Sequence, residues 1–338
     1  MIASIAGARH QVLLESYIFA DDEIGNRFAE ALAERARAGV IVRMHLDAAG
    51  SLFWASHRLI RKLEDHGVLV RWFHRWDWRH PWRYNRRNHR KLLVVDGHLA
   101  YVGGYNIHRE NSLSVYGPKR WRDTHVAFSG TLASDARELF GRFWIGRRRP
   151  PRLHPTPQGS ILVSNFSRGG RRYLNGSFAS LFSNARDRIY VTTPYFVPDR
   201  RTQRLLSGAA RRGVDVRVLV PRKHDVRLAQ WAAHAAYDNL LQNGVRIFEY
   251  LPRLLHAKTA VVDGRHATVG TANIDYRSFF LNYELNLFTR HAGLCRRLER
   301  TFLADLEEAE EVFAEQWKRR FPGRRALELI GWMARRWL

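Results

Sequence analysis

One stretch that occurs twice decides the fold of this chain. The first copy begins His89-Arg90-Lys91-Leu92-Leu93-Val94-Val95-Asp96 and continues, after six residues, with Gly103-Gly104 and Asn106. The second copy begins His256-Ala257-Lys258-Thr259-Ala260-Val261-Val262-Asp263 and continues at the same spacing with Gly270-Thr271 and Asn273. Both copies share a His and a Lys two positions apart, an apolar run that ends in Asp, and a Gly followed three residues later by Asn.

The apolar run of each copy predicts a buried strand, and the Asp-Gly that follows it indicates a hairpin turn. In an extended segment a His and a Lys two positions apart point to the same face. Each copy therefore offers an imidazole beside a fixed cation, which suits a phosphate ester. A single such pair is more often an exposed polar face, but two copies at matching positions of a repeat favour a functional site. The pattern resembles the HKD motif of the phospholipase D superfamily, in which two motifs build one active site.

Other landmarks recur in the same order as the motif. Ala36–Arg43 returns as Ala210–Arg217, His66-Gly67-Val68 as Asn243-Gly244-Val245, and Ser16-Tyr17-Ile18 as Pro194-Tyr195-Phe196. Strand and helix patterns alternate between the landmarks, which is typical of an α/β fold. We therefore predict two pseudo-symmetric phospholipase D-like repeats. Each is a mixed, mostly parallel sheet flanked by helices, and the active site lies at their interface.

The predicted boundaries follow composition and spacing. We assign residues 1–146 to the first repeat, 147–160 to a proline-rich linker, 161–320 to the second repeat and 321–338 to an amphipathic C-terminal helix. A long helix is predicted at 294–318. The offset between the repeats leaves segment 160–177 without a counterpart in the first repeat, which predicts that the first repeat lacks the opening strand of the second.

Charge and composition limit the class of partner. The 338 residues carry a formal net charge of +24, which points to an anionic partner, either nucleic acid or an anionic lipid surface. The single cysteine, Cys295, excludes an internal disulfide framework. With no long uninterrupted apolar run and no signal-peptide pattern, we expect a peripheral protein at the cytoplasmic face of the cell membrane.

Two segments combine Arg with Trp, as interfacial membrane segments do. From Gly67 to His89 the chain takes 22 positions, whereas from Gly244 to His256 it takes 12. The first repeat thus carries about ten extra residues, within 74–87, which we expect beside the site entrance and interpret as a headgroup contact rather than a solvated loop. The other segment is the tail 324–338, which could lie in a membrane interface or pack on the protein body.

Two imidazoles at one phosphodiester permit covalent catalysis. One attacks phosphorus to form a phosphohistidine, and the other acts as acid and then as base. Lysine and asparagine side chains can hold the phosphoryl oxygens, so we predict no metal and no cofactor. Each His needs a carboxylate that fixes its tautomer, and we expect Asp123 to serve the first repeat and Glu284 the second. The candidate catalytic set is the motif itself, His89, Lys91, Asp96, His256, Lys258 and Asp263, with Asn106, Asn273, Asp123 and Glu284 as phosphate-binding or orienting groups. Within it we interpret Asp96 and Asp263 as structural, holding the turn or pairing with a nearby base.

The resemblance is greatest to bacterial cardiolipin synthases of a short type without membrane spans. It is carried by Glu15-Ser16-Tyr17-Ile18-Phe19, Asp47-Ala48-Ala49-Gly50-Ser51, Gly103–Ile107 and Gly270–Asp275 with Ser278 and Asn282. It implies a phosphatidyltransferase that uses phosphatidylglycerol at a membrane, with His89 as nucleophile, His256 as acid and base, and no obligatory protein partner. The alternatives are a phospholipase D-type hydrolase or nuclease, and a basic nucleic-acid-binding protein. The two intact motifs argue against the binding protein, so nucleic acid is the less favoured partner.

Overall fold

Two β-sheets with helices on their faces form the protein. The computed structural model describes residues 1–147, 151, 153–224, 226–319, 328 and 331–333. The first sheet contains β1 (Gln11–Ser16), β2 (Ile41–Asp47), β3 (Leu69–Phe73), β4 (Leu92–Val95), β5 (Leu99–Gly103) and β6 (His125–Ser129). The second contains β7 (Ile161–Ser164), β8 (Arg188–Thr192), β9 (Asp215–Pro221), β10 (Arg246–Tyr250), β11 (Thr259–Val262), β12 (His266–Gly270), β13 (Leu285–Thr289) and β14 (Ala309–Val312).

The helices connect and cover these strands. In chain order they are α1 (Ile2–Ala6), α2 (Glu23–Arg37), α3 (His57–Asp65), α4 (Pro81–Tyr84), α5 (Leu113–Tyr116), α6 (Thr131–Trp144), α7 (Arg168–Ser183), α8 (Arg200–Arg211), α9 (Arg227–Gln242), α10 (Tyr276–Phe280), α11 (Ala292–Glu307) and α12 (Ala314–Lys318). Polar N-caps begin several of them: the Asp22 carboxylate accepts from two backbone N–H groups of α2, and Asp199 caps α8. Among the described residues, no helix has both the length and the apolar character needed to cross a membrane.

Both sheets are mixed, but the prediction that they are mostly parallel is wrong. The strand orders are β3-β2-β1-β4-β5-β6 and β14-β10-β9-β8-β11-β12-β13-β7. Only β1–β2 and β2–β3 in the first sheet, and β8–β9 and β9–β10 in the second, are parallel pairs. The motif strand of each repeat turns back through a tight Asp-Gly connection, so the strands around it form antiparallel hairpins. As expected, the described first sheet has no counterpart of β7.

One edge of each sheet gathers the segments that carry the motif. In the first sheet the parallel strands β1, β2 and β3 end at this edge, and β4 begins there, with Leu92 opposite Glu15. Strand β5 ends at the same edge, because Val102 lies opposite Leu92. The second sheet has the same arrangement, with Thr259 of β11 opposite Thr192 of β8. We call this the site edge, since the motif histidines lie just before β4 and β11.

The two repeats share a hydrophobic core at their interface. One cluster of buried side chains draws on both sheets and on α6 and α11: Leu92, Val94, Leu139 and Phe140 with Leu162, Phe166, Val261, Leu285, Leu287 and Cys295. Two further clusters belong mainly to one repeat each. Burying apolar surface from both repeats in one cluster fixes how the sheets dock, and therefore how the two site edges meet.

The C-terminal prediction needs correction where the chain is described. Residues 294–318 are not one helix: α11 ends at Glu307, and the chain then forms β14 on the open edge of β10 before α12. Most of the tail 324–338 lies outside the described residues. Within it, Gly331 lies so close to α9 that a Cβ would be 2.5 Å from the backbone N of Ala232, and Glu328 is buried. This part of the tail packs on the protein body.

Candidate active site

A cavity of about 460 Å³ opens where the two site edges meet. Its lining includes both motif histidines and both motif asparagines. The described lining residues are Tyr17, Ile18, Tyr84, Asn85, Arg87, His89, Asn106, Trp121, Tyr195, Val197, Val226, Ala229, His256, Asn273, Asp275, Arg277 and Asn282. The two copies of the motif thus contribute to a single concave site. A larger cavity, about 1310 Å³, lies behind Asp123 between β6 and α11 and contains neither motif histidine.

Each motif histidine is bound to a carboxylate from the opposite repeat. Nδ1 of His89 lies 3.1 and 3.0 Å from the two carboxylate oxygens of Glu284, and Nδ1 of His256 lies 2.7 Å from Oδ2 of Asp123. The prediction that Asp123 serves the first repeat and Glu284 the second is therefore wrong in its pairing, although both residues are carboxylate partners. In each pair a proton on Nδ1 can be donated to the carboxylate, which leaves Nε2 with its lone pair.

Short backbone contacts between the repeats produce this exchange. The N–H of His89 donates to the carbonyl of Tyr283 at 3.0 Å, and the N–H of Tyr283 donates to the carbonyl of Arg87 at 2.8 Å. At the equivalent place the N–H of His256 donates to the carbonyl of Arg122 at 2.8 Å. The residue before each carboxylate is thus bonded beside the histidine of the other repeat. The sheet docking sets this exchange, so no motif spacing within one repeat reveals it.

The two carboxylates are held differently. Glu284 accepts hydrogen bonds from the hydroxyls of Thr271, at 2.5 Å, and Ser278, at 2.9 Å. In the first repeat the position of Thr271 is taken by Gly104, and a Cβ there would lie 2.0 Å from Oδ1 of Asp123. The longer Glu therefore has two hydroxyl donors, whereas the shorter Asp fits because the residue beside it has no side chain.

Burial determines the protonation state of the two imidazoles. Burial lowers the pKa of His89 to about 4, against the opposing charge of Glu284. Burial and the neighbouring Lys258 lower the pKa of His256 to about 4, although Asp123 opposes them. Burial alone would raise the pKa of Asp123, but His256 and Lys258 outweigh it and the net pKa is lowered. At neutral pH the cavity therefore holds two neutral imidazoles, each able to attack phosphorus or accept a proton.

The two motif lysines lie beneath the cavity rather than in its described lining. Lys91 donates to the carbonyl of His89 at 3.0 Å, and Lys258 donates to the carbonyl of His256 at 2.5 Å. Both side chains are almost fully buried. Burial, with the charge of Lys258, lowers the pKa of Lys91 to about 7. The ammonium groups thus orient the backbone of both histidines and place positive charge behind the reacting centre.

Both motif asparagines line the cavity. Oδ1 of Asn106 accepts from the N–H of Ile18 at 3.3 Å, and the N–H of Asn273 donates to the hydroxyl of Ser278 at 3.0 Å. Aromatic rings flank the imidazoles, with Tyr17 edge-on to His89 at 5.1 Å and Trp121 tilted against His256 at 5.2 Å between ring centroids.

The motif aspartates lie at the opposite edge of each sheet. Asp96 accepts from the backbone N–H groups of residues 9, 10 and 11 at 2.7 to 2.9 Å, and Asp263 accepts from those of residues 186, 187 and 188. Both adopt the left-handed conformation, with φ of 51° and 53°. Each lies seven positions after its His, which corresponds to roughly 20 Å of extended chain. Their interpretation as structural residues that hold the turn is confirmed, but the partners are backbone amides rather than a base. They do not belong with the catalytic set.

Sequence reasoning gave no role to Arg277, which lines the cavity, or to Asp47, which lies outside the described lining. Arg277 donates to the side chain and the carbonyl of Asn85 at 3.0 and 2.7 Å, which ties the inserted segment 74–87 to the second repeat. Repeat comparison could not find Arg277, because the equivalent position in the first repeat is Glu110. The buried carboxylate of Asp47 accepts from the N–H of Asn88 at 2.7 Å and so fixes the residue before His89. The sequence feature that could have indicated this role for Asp47 is its position at the carboxyl end of a buried strand.

The inserted segment lies where the sequence placed it. Its residues Tyr84, Asn85 and Arg87 line the cavity, which confirms the prediction that it borders the entrance. Arg87 is buried against Tyr84, with its guanidinium 4.3 Å from the ring centroid, and its Nη1 lies 3.4 Å from Asp47. The Trp side chains of the segment, by contrast, are exposed.

Curated relatives are similar to this chain over most of its length. Cardiolipin synthase 2 of Bacillus cereus is 35% identical over 342 residues, covering 95% of this chain and 65% of the relative. Cardiolipin synthase A of Pseudomonas fluorescens is 36% identical over 321 residues, covering 93% of this chain and 67% of the relative. The chain thus spans about two thirds of the length of the curated relatives it matches.

Solved structures support the fold. The crystal structure of phosphatidylserine synthase from Haemophilus influenzae superposes with a TM-score of 0.73 at 14% identity, covering 100% of this chain and 92% of that one. At this identity the likeness shows the two-repeat α/β fold alone. The family described as "Cardiolipin synthase, PLD-like domain" matches residues 1–144 and 178–306, so both motif copies fall inside it. This chain therefore belongs to the cardiolipin synthase family of phospholipase D-like proteins.

Proposed function

We propose that this protein is a phosphatidyltransferase of the cardiolipin synthase type. It moves a phosphatidyl group from one phospholipid to the hydroxyl of phosphatidylglycerol, and releases glycerol when the donor is also phosphatidylglycerol. The observation that carries the proposal is the pair of neutral imidazoles in one cavity, each oriented by a carboxylate of the other repeat. The names of the curated relatives agree with it.

In the first half-reaction, Nε2 of His89 attacks the phosphorus of the donor lipid. The new P–N bond forms as the bond from phosphorus to the leaving glycerol oxygen breaks, and His256 in its protonated form gives that oxygen a proton. Burial and Lys258 lower the pKa of His256, and the negative phosphodiester raises that pKa on binding because an opposite charge favours the protonated imidazole. We assign the non-bridging oxygens to Asn106 and Asn273, backed by the buried ammonium groups of Lys91 and Lys258.

The second half-reaction reverses these roles. Neutral His256 takes the proton of the acceptor hydroxyl, the acceptor oxygen attacks phosphorus, and the P–N bond breaks to restore His89. Asp123 and Glu284 keep the Nδ1 proton in place on both imidazoles throughout. We propose that the reaction takes place at the cytoplasmic face of the cell membrane, with the protein bound peripherally and needing no second protein.

The direct test is to incubate the purified protein with phosphatidylglycerol vesicles and to measure cardiolipin and free glycerol. We expect both products in equal amounts and no loss of rate with EDTA. Phosphatidic acid in place of cardiolipin would mean that water is the acceptor, and the protein would then be a hydrolase. Salt-sensitive binding of DNA without any lipid product would favour the nucleic-acid-binding alternative.

The order of the histidines is tested by substitution. His89→Ala and His256→Ala should each remove nearly all turnover, and the double variant should be little worse than either, because both groups act in one cycle. Acid quenching should trap a phosphorylated histidine in His256→Ala and none in His89→Ala. The opposite result would exchange the two roles.

A further inference from the structure

Six of the eight most exposed large apolar side chains of the described chain lie in three segments; the other two are Met333, 62% exposed, and Ile145, 59% exposed. Phe53 is 91% exposed, Trp78 75%, Trp82 68%, Trp76 65%, Leu113 61% and Leu52 58%. Single exposed apolar residues are ordinary on protein surfaces, but three tryptophans and a nearly bare phenylalanine are not. We call these six residues the rim.

All six rim residues lie in segments that follow strands ending at the site edge. Leu52 and Phe53 follow β2, the tryptophans follow β3, and Leu113 follows β5, strands that all end at this edge. By strand spacing in the sheet order, the ends of β2, β3 and β5 lie within roughly 20 Å of one another. The segment after β5 supplies Asn106 and Trp121 to the cavity lining, and the segment after β3 supplies Tyr84 and Arg87. In the segment after β2, Ser51 donates to the carbonyl of the lining residue Tyr17 at 3.0 Å.

The rim segment 74–87 is mainly basic. The segment that bears the tryptophans also exposes Arg75, Arg79, Arg83 and Arg86. Its acidic residue, Asp77, accepts a hydrogen bond from the ring of His80, 2.9 Å away. The guanidinium of Arg79 lies 5.2 Å from the ring centroid of Trp78. Aromatic rings beside cations suit the boundary between anionic headgroups and acyl chains, where the ring enters the apolar layer and the cation stays with the phosphates.

We propose that the rim inserts into the surface of a bilayer that contains anionic phospholipid, and that it holds the mouth of the cavity against that surface. This inference rests on the proposed function, because it is a lipid substrate that makes such an orientation useful. It extends the membrane contact from segment 74–87 to the separate segments around Phe53 and Leu113. The nine residues Ala48–Ser56 carry no charge, so that segment inserts without removing a charge from water.

The test compares the rim with the opposite edge of the same sheet. The rim variants are Trp76→Ser/Trp78→Ser/Trp82→Ser and Leu52→Ser/Phe53→Ser. The matched control is Ile41→Ser/Leu69→Ser, since these residues are 51% and 52% exposed at the starts of β2 and β3. Binding of the full-length protein is measured by flotation with phosphatidylglycerol vesicles and with phosphatidylcholine vesicles, and folding by circular dichroism.

We expect the parent and the control to bind phosphatidylglycerol vesicles alike and phosphatidylcholine vesicles more weakly. The tryptophan variant should bind about tenfold more weakly or worse, and the Phe53 variant should also lose affinity. Lipids brominated near the headgroup should quench the fluorescence of the parent and quench that of the tryptophan variant less. Unchanged binding in both rim variants would overturn the proposal. So would a parent that dimerises without lipid and becomes monomeric when the rim is changed, since the rim would then be a protein interface.

Binding is read without reference to turnover, so the two proposals can fail separately. A protein that binds vesicles through the rim but forms no cardiolipin would contradict the proposed function and still support insertion of the rim. Cardiolipin formation by rim variants that bind vesicles as the parent does would contradict only the insertion of the rim.

Discussion

Two equivalent positions, Gly104 and Thr271, distinguish the halves of the site at the scale of single residues. Thr271 donates to Glu284, while the missing side chain at Gly104 leaves room for Asp123. Each histidine therefore depends on a residue that sits beside its carboxylate and never touches the imidazole. Such positions are found only when the carboxylate geometry is known.

Substitution at these positions should lower turnover to different extents. Gly104→Ala should lower kcat by roughly 10²-fold or more, because the new Cβ displaces Asp123 and leaves His256 without a fixed tautomer. Thr271→Val should lower kcat less, since Ser278 still donates to Glu284, and Thr271→Ser should retain most of the rate because it keeps the hydroxyl. Steady-state kinetics check this, and a Gly104→Ala protein with parental kcat would show that Asp123 is not needed in its observed position.

The pH dependence also belongs to single residues. With both imidazole pKa values near 4, the protein at pH 7 before substrate binds has one proton fewer than a transition state that protonates the leaving oxygen. We therefore expect kcat/KM to fall as the pH rises above about 4, and to fall more steeply above about 7, where Lys91 loses its charge.

A substrate with a p-nitrophenyl leaving group separates these two effects. Because that leaving group needs no proton, the decline between pH 4 and 7 should disappear while the decline above 7 remains. Lys91→Arg should remove the upper decline. A nitrophenyl substrate with the same profile as a lipid would show that His256 is not the acid.

At the scale of elements, a fully buried ion pair joins β1 to the segment just before β4. Nε of Arg90 lies 2.9 Å from Glu15, and both side chains are inaccessible to solvent. The guanidinium of Arg90 also lies 4.7 Å from the ring centroid of Phe143 in α6 and 5.8 Å from that of Phe166, which follows β7. Burial raises the pKa of Glu15 to about 7, although the charge of Arg90 opposes the shift.

Removing one partner of this pair should lower the free energy of unfolding more than removing both. Arg90→Met leaves Glu15 buried without a cation and should lower the free energy of unfolding by about 3–5 kcal/mol, whereas Glu15→Leu/Arg90→Met should cost much less. Glu15 without its cation is more easily protonated, so the loss in Arg90→Met should be smaller at pH 6 than at pH 8. Urea denaturation measures both effects, and equal losses in the single and double variants would mean that the charge pair is not what the single variant disrupts.

Sequence patterns predicted the elements well where the pattern is local. The motif strands, their hairpin turns and the polar caps follow from apolar runs, Asp-Gly pairs and Asp before a helix. The run Glu307-Glu308-Ala309-Glu310-Glu311 was read as helix because its residues favour helices. Tertiary pairing overrides that preference: β14 covers the edge of β10, with Glu311 on Arg246 at 2.7 Å and Glu310 on Arg222.

At the scale of the whole molecule, the docking of the repeats could not be read from either repeat alone. The sequence identified His89, His256, Asp123 and Glu284, but it assigned each carboxylate to the wrong histidine. The exchange depends on the shared core and on the contacts of Tyr283 and Arg122 across the interface. Pattern spacing carries no information about such contacts, whereas the count of two motifs did predict that they meet.

The same interface should hold the molecule together when the chain is cut. A protease site introduced within 148–152 and then cleaved should leave the two halves associated, with turnover kept, because described residues on both sides of the cut form the shared core and the exchanged backbone hydrogen bonds. Size-exclusion chromatography of the cleaved protein, followed by the lipid assay, checks this. Halves that elute separately without denaturant would show that the covalent connection, and not the interface, keeps the site assembled.

The exchanged carboxylates have a consequence for how such a chain can change over generations. Neither half holds a complete histidine–carboxylate pair, so a half on its own resembles one member of an obligate dimer whose other member has been joined to it. A substitution that shifts Glu284 alters the position of His89 in the other repeat, and a substitution that shifts Asp123 alters that of His256. The sequences of the two halves therefore cannot diverge independently. Replacing one half with that of a distant relative would disturb both histidine–carboxylate pairs at once.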